Sequence, residues 1–147
     1  MSASSRFAAC MLTVACALAF VGCDAAVRPD CQLVMWDGGQ APPEEGAPIP
    51  ADVQPIVGPT DIDWSASRLD DGNVGPPVLT LRLQPAAAER MAEHTRNNVG
   101  DYMPVGLNGN VLVVPIINSP IEGGEVALEP SVDGAASFGP LRSCVGG

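Results

Sequence analysis

In the run Val78-Leu79-Thr80-Leu81-Arg82-Leu83-Gln84-Pro85-Ala86-Ala87-Ala88-Glu89-Arg90-Met91-Ala92-Glu93 the apolar period changes from two to nearly four. The first half alternates, with Val78, Thr80 and Arg82 on one face and Leu79, Leu81 and Leu83 on the other. A period of two is that of a half-buried strand, and the leucine face is expected inside. Pro85 suits the first turn of a helix, where its missing amide hydrogen costs nothing, and the alanine-rich run after it has high helix propensity. Ala88, Met91, Thr95 and Val99 recur at steps of three and four and draw one stripe, with Glu89, Arg90, Glu93 and Arg96 off it. Gly100 supplies the stop. A strand therefore runs into a helix whose small side chains suit packing on a sheet.

Downstream, residues 102–107 and 111–117 are β-prone and separated by Asn108-Gly109, the dipeptide that best accepts positive φ at both central positions of a type I′ hairpin turn. Pro115 lies inside the second run, so its amide side is expected to face an edge, a bulge or solvent. After a loop bracketed by Ser119-Pro120 and Gly123-Gly124, residues 125–129 alternate as a final strand, and beyond Pro130 the residues Gly134, Gly139 and Pro140 interrupt any helix. Upstream, residues 65–69 are a further strand candidate, closed by the turn residues Asp70-Asp71-Gly72-Asn73. Pro42, Pro43, Pro48, Pro50, Pro55 and Pro59 make residues 41–59 an extended linker or an edge-hugging loop. The apolar run Gln32-Leu33-Val34-Met35-Trp36 before it is a strand candidate reached across that linker. The pattern predicts an α+β fold, a small and mostly antiparallel sheet with one main helix packed on one face. Three parts are expected: 1–22, a leader; 23–59, a Pro-rich linker or N-terminal extension; and 60–147, the compact domain.

The chain has 147 residues and a formal charge of −10, and all seven of its basic residues are arginine. Without lysine there is no Schiff base, P-loop lysine or lysine general base. So acidic a chain also has no long-range attraction for nucleic acid or for an anionic bilayer surface.

Arg6 is the one charge before Asp24, and residues 7–21 are apolar or small apart from Thr13. At about 1.5 Å per residue this run is too short to cross a bilayer core, and it matches the hydrophobic region of a signal peptide. It ends in Phe20-Val21-Gly22-Cys23, which resembles the bacterial lipobox, with phenylalanine where a leucine-like residue is usual. The resemblance implies cleavage before Cys23 and acylation of its thiol, holding the protein on a membrane without spanning it. An ordinary signal peptide, or an uncleaved short anchor, is the competing reading. Asp24 resembles an inner-membrane retention signal, which favours the inner membrane over the outer one. Cys10 and Cys16 would leave with the leader, so that Cys31 and Cys144 remain. In an oxidising compartment they are most economically one disulfide, the alternative being two free thiols.

Residues 56–129 resemble the head subdomain of the first periplasmic domain of SecD and fused SecDF, the accessory subunits of the bacterial protein-export channel. The family's T-x-x-N-x-G reads here as Thr95-Arg96-Asn97-Asn98-Val99-Gly100. Its strand–turn–strand continues as Val105-Gly106-Leu107-Asn108-Gly109 and Val114-Pro115-Ile116-Ile117, and its I-x-G-G as Ile121-Glu122-Gly123-Gly124. The family-motif residues carried over are Thr95, Asn98, Gly100, Asn108, Gly109, Pro115, Ile121, Gly123 and Gly124. The family's head closes on a helix ending L-x-S-G, whereas Leu141-Arg142-Ser143-Cys144 follows a stretch broken by glycine and proline. SecD also carries membrane-spanning helices with ionisable residues, and no such bundle is written in these residues. The resemblance thus implies a head-like fold and a surface for emerging preprotein.

His94, the single histidine, lies on the helix between Glu93 and Thr95; as a general base it would need a nucleophile and an orienting carboxylate converging on it, and the sequence offers only scattered serines and aspartates. The pairs Asp61/Asp63, Asp70/Asp71 and Glu44/Glu45 lack the ligand spacing of a calcium loop, and two distant thiols with one histidine do not make a zinc site. Gly123-Gly124 precedes no helix start, so a hairpin turn is preferred there to a phosphate cradle. The expectation is a non-enzymatic protein without metal or cofactor. Its leading function is a lipid-anchored extracytoplasmic polypeptide-binding module accessory to protein export, with the Sec translocon among its partners. The alternative is a structural or interaction lipoprotein of the cell envelope with no role in export. Its membrane contact is expected through the lipid anchor alone.

Overall fold

A computed structural model describes residues 28–70, 72, 74–130 and 135–145. The leader 1–22, the lipidation position Cys23 with Asp24 beside it, the turn residues Asp71 and Asn73, and Gly134 lie outside the described residues. In chain order the strands are β1 (Leu33–Trp36), β2 (Pro55–Val57), β3 (Ile62–Asp70), β4 (Val78–Leu83), β5 (Val105–Leu107), β6 (Asn110–Val113) and β7 (Glu125–Leu128). The helix α1 (Pro85–Asn97) follows β4, and 3-10 turns occupy Pro59–Asp61 and Ala135–Ser143. Among the described residues no helix is long and apolar enough to cross a membrane.

The α+β class and the antiparallel pairing hold, but the strands form two sheets where one was expected. The first has the order β2-β1-β5-β6 and the second β3-β4-β7. β4 puts Leu79, Leu81 and Leu83 into the core and Arg82 into solvent, as its alternation requires. A single apolar cluster joins both sheets, taking in Leu33, Met35 and Val105 from the first and Leu81 and Val126 from the second. Met91 of α1 and Phe138 and Leu141 of the C-terminal 3-10 turn complete it.

Two elements differ from their sequence reading for identifiable reasons. The buried stripe of α1 is Ala87, Met91 and Thr95, while Val99 falls beyond the last helical turn and is 53% exposed. The helix ends at Asn97 because Asn98 caps it: its side-chain amide donates to the His94 carbonyl at 2.8 Å. β3 is longer than expected because residues 64–67 form an irregularity between the pairs Asp63↔Arg82 and Arg68↔Thr80, which breaks the period of two.

The stretch read as an extension is built into the first sheet. β1 pairs with both β5 and β2, and Pro55 stands at the start of the edge strand β2, where its missing donor is tolerated. The proline-rich segment between them takes the edge-hugging course, with the Gly46 amide donating to Val111 O at 2.8 Å and the Val111 amide to Ala47 O at 2.8 Å. Gly106 lies beneath this segment, where a Cβ would meet the Ile49 and Trp36 side chains and displace them.

Candidate functional site

The motif residues carried over by resemblance gather into two structural joints. In the first, the Thr95 hydroxyl donates to Met91 O at 2.8 Å and accepts the Ile121 amide at 2.8 Å, so one buried oxygen ties α1 to the segment before β7. Gly100, at φ +97, gives its amide to Ile117 O at 2.8 Å. Gly123 and Gly124 hold consecutive positive φ values of 81° and 74°, which turn the chain into β7. A Cβ on Gly124 would sit 3.0 Å from that of Ala88, so this glycine also lets the helix approach the sheet. Pro115 lies past the end of β6 and its carbonyl accepts the Met103 amide at 2.9 Å.

The second joint surrounds Asn108-Gly109, at φ 50° and 91°, the values a type I′ turn requires. Asn108 also reaches across to the start of β1, accepting the Gln32 amide on Oδ1 and donating to Asp30 O, each at 3.0 Å. Between those two residues Cys31 is disulfide-bonded to Cys144, with Cα atoms 5.8 Å apart. The Arg28 guanidinium donates to Cys144 O at 3.0 Å, a cation at the end of the 3-10 turn. The C-terminal segment is thus clamped against β1 and the tip of the β5–β6 hairpin.

The titratable groups are also used in packing. Asp61 accepts the Gly58 amide and pairs with Arg90, each at 2.8 Å, and Arg90 donates to Ile56 O of β2 at 3.2 Å. Asp63 stitches the β3 irregularity: its Oδ1 accepts the Ser65 hydroxyl at 2.6 Å and the Ser65 and Ala66 amides at 3.1 and 3.2 Å. The Ser65 hydrogen bond is the largest cause holding the Asp63 carboxyl below its ordinary range; the backbone amides and the Arg82 charge add to it while desolvation opposes. The Ser67 hydroxyl donates to Asp63 O at 2.7 Å and accepts the Arg82 amide at 3.0 Å, standing in for the missing ladder partner.

His94 lines a shallow groove with Ile56, Arg90, Glu93, Asn97 and Asn98. None of these carries the hydroxyl that an enzymatic reading of His94 requires. Its Nδ1 lies 3.3 Å from the Asn98 amide, and its buried Nε2 has no partner among the described residues. Among those residues no group of three metal-ligating side chains converges.

What residue patterns could not show is the state of the four sheet edges. Residues 46–49 cover β6, and Arg90 covers the outer carbonyl of β2. β3 is disrupted by its irregularity. β7 differs. The Leu83 amide donates to Gly124 O at 2.8 Å, and the Arg82 amide points the other way, to Ser67. Antiparallel alternation then turns the backbone groups of Val126 and Leu128 toward β4 and those of Glu125 and Ala127 outward. Nothing among the described residues pairs with that outer row. The solvent face beside it carries Glu125, 3.3 Å from Arg82 and 4.0 Å from Arg68.

The family model for the SecDF P1 head subdomain matches residues 36–137. The protein translocase subunit SecD of Acidaminococcus fermentans is 34% identical over 74 residues, covering 50% of this chain and 18% of that protein. SecD of Thermobaculum terrenum is 37% identical over 66 residues, covering 44% of this chain and 13% of that protein. The chain thus spans under a fifth of either relative's length. Its fold is shared with a solved SecDF described as a membrane component that enhances protein export, at TM-score 0.56 and 20% identity over 78% of this chain and 63% of that one. With the larger part of its length matched by the family model, the chain belongs to the SecDF P1 head subdomain family.

Proposed function

We propose that this chain is a polypeptide-binding head, lipid-anchored through Cys23 on the extracytoplasmic side of the cell envelope and accessory to protein export. The observation that carries the reading is the family match over residues 36–137. Its relatives are translocase subunits, and the solved neighbour is a membrane component that enhances export. The arrangement of side chains points the same way. Thr95, Asn98, Asn108, Asp61 and Asp63 are each taken up in holding the scaffold, which leaves backbone and sheet surface for recognition. Main-chain hydrogen bonding reads no sequence, which suits a module that meets many different unfolded chains.

The test is a calorimetric titration of the purified chain with a reduced, permanently unfolded polypeptide, paired with crosslinking to the Sec translocon in cells. Saturable binding to the unfolded chain, absent with the same protein folded, is the expected result. No affinity for unfolded polypeptide and no translocon crosslink would remove the proposal. The anchor is tested separately by metabolic labelling with a fatty acid, which is expected to mark the wild type and not Cys23→Ser.

A further inference from the structure

We infer that the outer edge of β7 takes an extended segment of a partner polypeptide as an added strand, and that the preferred segment alternates basic with apolar residues. This rests on the polypeptide-binding reading and gives it a place, a mode and a residue pattern.

The backbone supplies the mode. The N–H and C=O groups of Glu125 and Ala127 face outward in a row, which is the template an added strand needs. The side chains supply the pattern. Val126 and Leu128 are buried, while Glu125, Ala127 and Glu129 are exposed. A strand laid beside β7 inherits that alternation, because side chains of neighbouring strands that share a face lie side by side. Its core-side residues meet Val126 and Leu128 and so need to be apolar. Its solvent-side residues meet a carboxylate at either end of the edge with the small Ala127 between. Glu125 is already shared with Arg82 and Arg68, whereas Glu129 has no ion-pair partner among the described residues. A lysine or arginine at the Glu129 end is the complementary choice.

A second copy of this chain is the occupant that charge disfavours. Antiparallel self-pairing about Ala127 would set Glu125 of each copy against Glu129 of the other, two like-charge contacts between chains of net charge −10. Beyond Glu129 the edge opens into a groove of about 420 Å³ lined by Asp70, Gly72, Val74, Pro76 and Val78. Val74 is fully exposed there, an apolar contact for the occupant where the ladder ends.

The full chain, purified in detergent, is titrated by fluorescence anisotropy with a labelled octapeptide alternating valine and lysine. An alternating valine–glutamate peptide and a valine–lysine peptide N-methylated at alternate residues are run beside it. The valine–lysine peptide is expected to bind at least about tenfold tighter than either. Ala127→Pro is expected to lose the same binding with unchanged far-UV dichroism, since the amide it removes points away from β4. If that variant does not fold, the N-methylated peptide carries the test alone. Glu129→Gln is expected to weaken the valine–lysine peptide several-fold and to leave a valine–threonine peptide unchanged. Equal binding by Ala127→Pro, or of the N-methylated peptide, overturns the edge assignment while leaving polypeptide binding intact. Failure of every peptide and of an unfolded chain removes the underlying reading. Self-association that Ala127→Pro abolishes would make a second copy the occupant and overturn the inference.

Discussion

The four-stranded sheet assembles strands far apart in the chain, since β1 pairs with β5 across residues 37–104, whereas the three-stranded sheet is built on the tight antiparallel pair β3–β4. The first sheet carries the clamps: the disulfide, Asn108, and the segment 46–49 laid along β6. The second has none of these and is held by the Thr95 joint, the Asp63 loop and the salt bridges of Arg82 and Arg68 with Glu125. Closing long loops costs conformational entropy, and the sheet that closes the longer of them has the disulfide and the Asn108 clamp. Its edges are covered, while the three-stranded sheet, which takes in β7 across residues 84–124, keeps an open one.

The largest effect that would break this contrast is loss of the disulfide. Cys31 and Cys144 are 113 residues apart, and removing a link of that span is expected to cost about 4 to 5 kcal/mol in the chain-entropy model. Paired Cys31→Ser and Cys144→Ser substitutions should lower the denaturation midpoint accordingly. In native-state hydrogen exchange β1 and β2 are expected to lose protection while β4 and β7 keep theirs. Uniform loss across both sheets would show that they do not differ in their fastening.

How much of this could be read from residues follows the same division. β4 and β7 were legible because their alternation is unbroken, and the β5–β6 hairpin because Asn108-Gly109 permits few other conformations. β3 was half hidden, since residues 64–67 interrupt its period and Trp64 and Ser67 are both buried within the irregular part. β2 was hidden altogether by prolines that suit an edge as well as a linker. The division into two sheets depends on which distant strands pair, and that is a tertiary choice no local pattern encodes. For the same reason the open edge of β7 was out of reach. Its residues read as a strand, but only the topology makes it the outermost.

Next in size is the joint between α1 and the segment before β7. Thr95→Val keeps the shape of the side chain but leaves the Ile121 amide without its acceptor, at an expected cost of about 1 to 3 kcal/mol. Because the hydroxyl also binds Met91 O within the helix, helicity by far-UV dichroism should be unchanged while the β7 amides exchange faster. A Thr95→Ser variant should restore most of the stability, since the acceptor returns. If valine keeps wild-type stability and serine loses it, packing by the methyl group rather than the hydrogen bond makes the joint.

Asn108 separates two contributions within the first sheet. Asn108→Gly removes its side-chain hydrogen bonds to Gln32 and Asp30, leaves the bond from its backbone amide to Gln32 O, and relieves the positive φ, whereas Asn108→Ala removes the same side-chain bonds and keeps the strain. The alanine variant is expected to lose about 1 to 2 kcal/mol, with glycine falling between it and the wild type. Urea midpoints of the three proteins measure the difference, and equal losses would assign the whole effect to the hydrogen bonds.

The smallest effect concerns the second sheet and sharpens the comparison by pH. The Asp63 carboxyl is held below its ordinary value of 3.8, chiefly by the Ser65 hydroxyl, so the folded state favours its ionised form. A depressed pKa contributes stability that is present above the unfolded value and is lost as pH falls through the folded one. Asp63→Asn keeps a side-chain oxygen to accept the Ser65 and Ala66 amides and removes the charge. The wild type is therefore expected to exceed this variant slightly at neutral pH. The gap should narrow below pH 3.8 and close once Asp63 is protonated in both states. Denaturation midpoints over that interval follow the gap, and one that does not change with pH would mean that geometry alone, and not ionisation, holds the irregular stretch of β3. In that case the second sheet, like the first, would be fastened by shape.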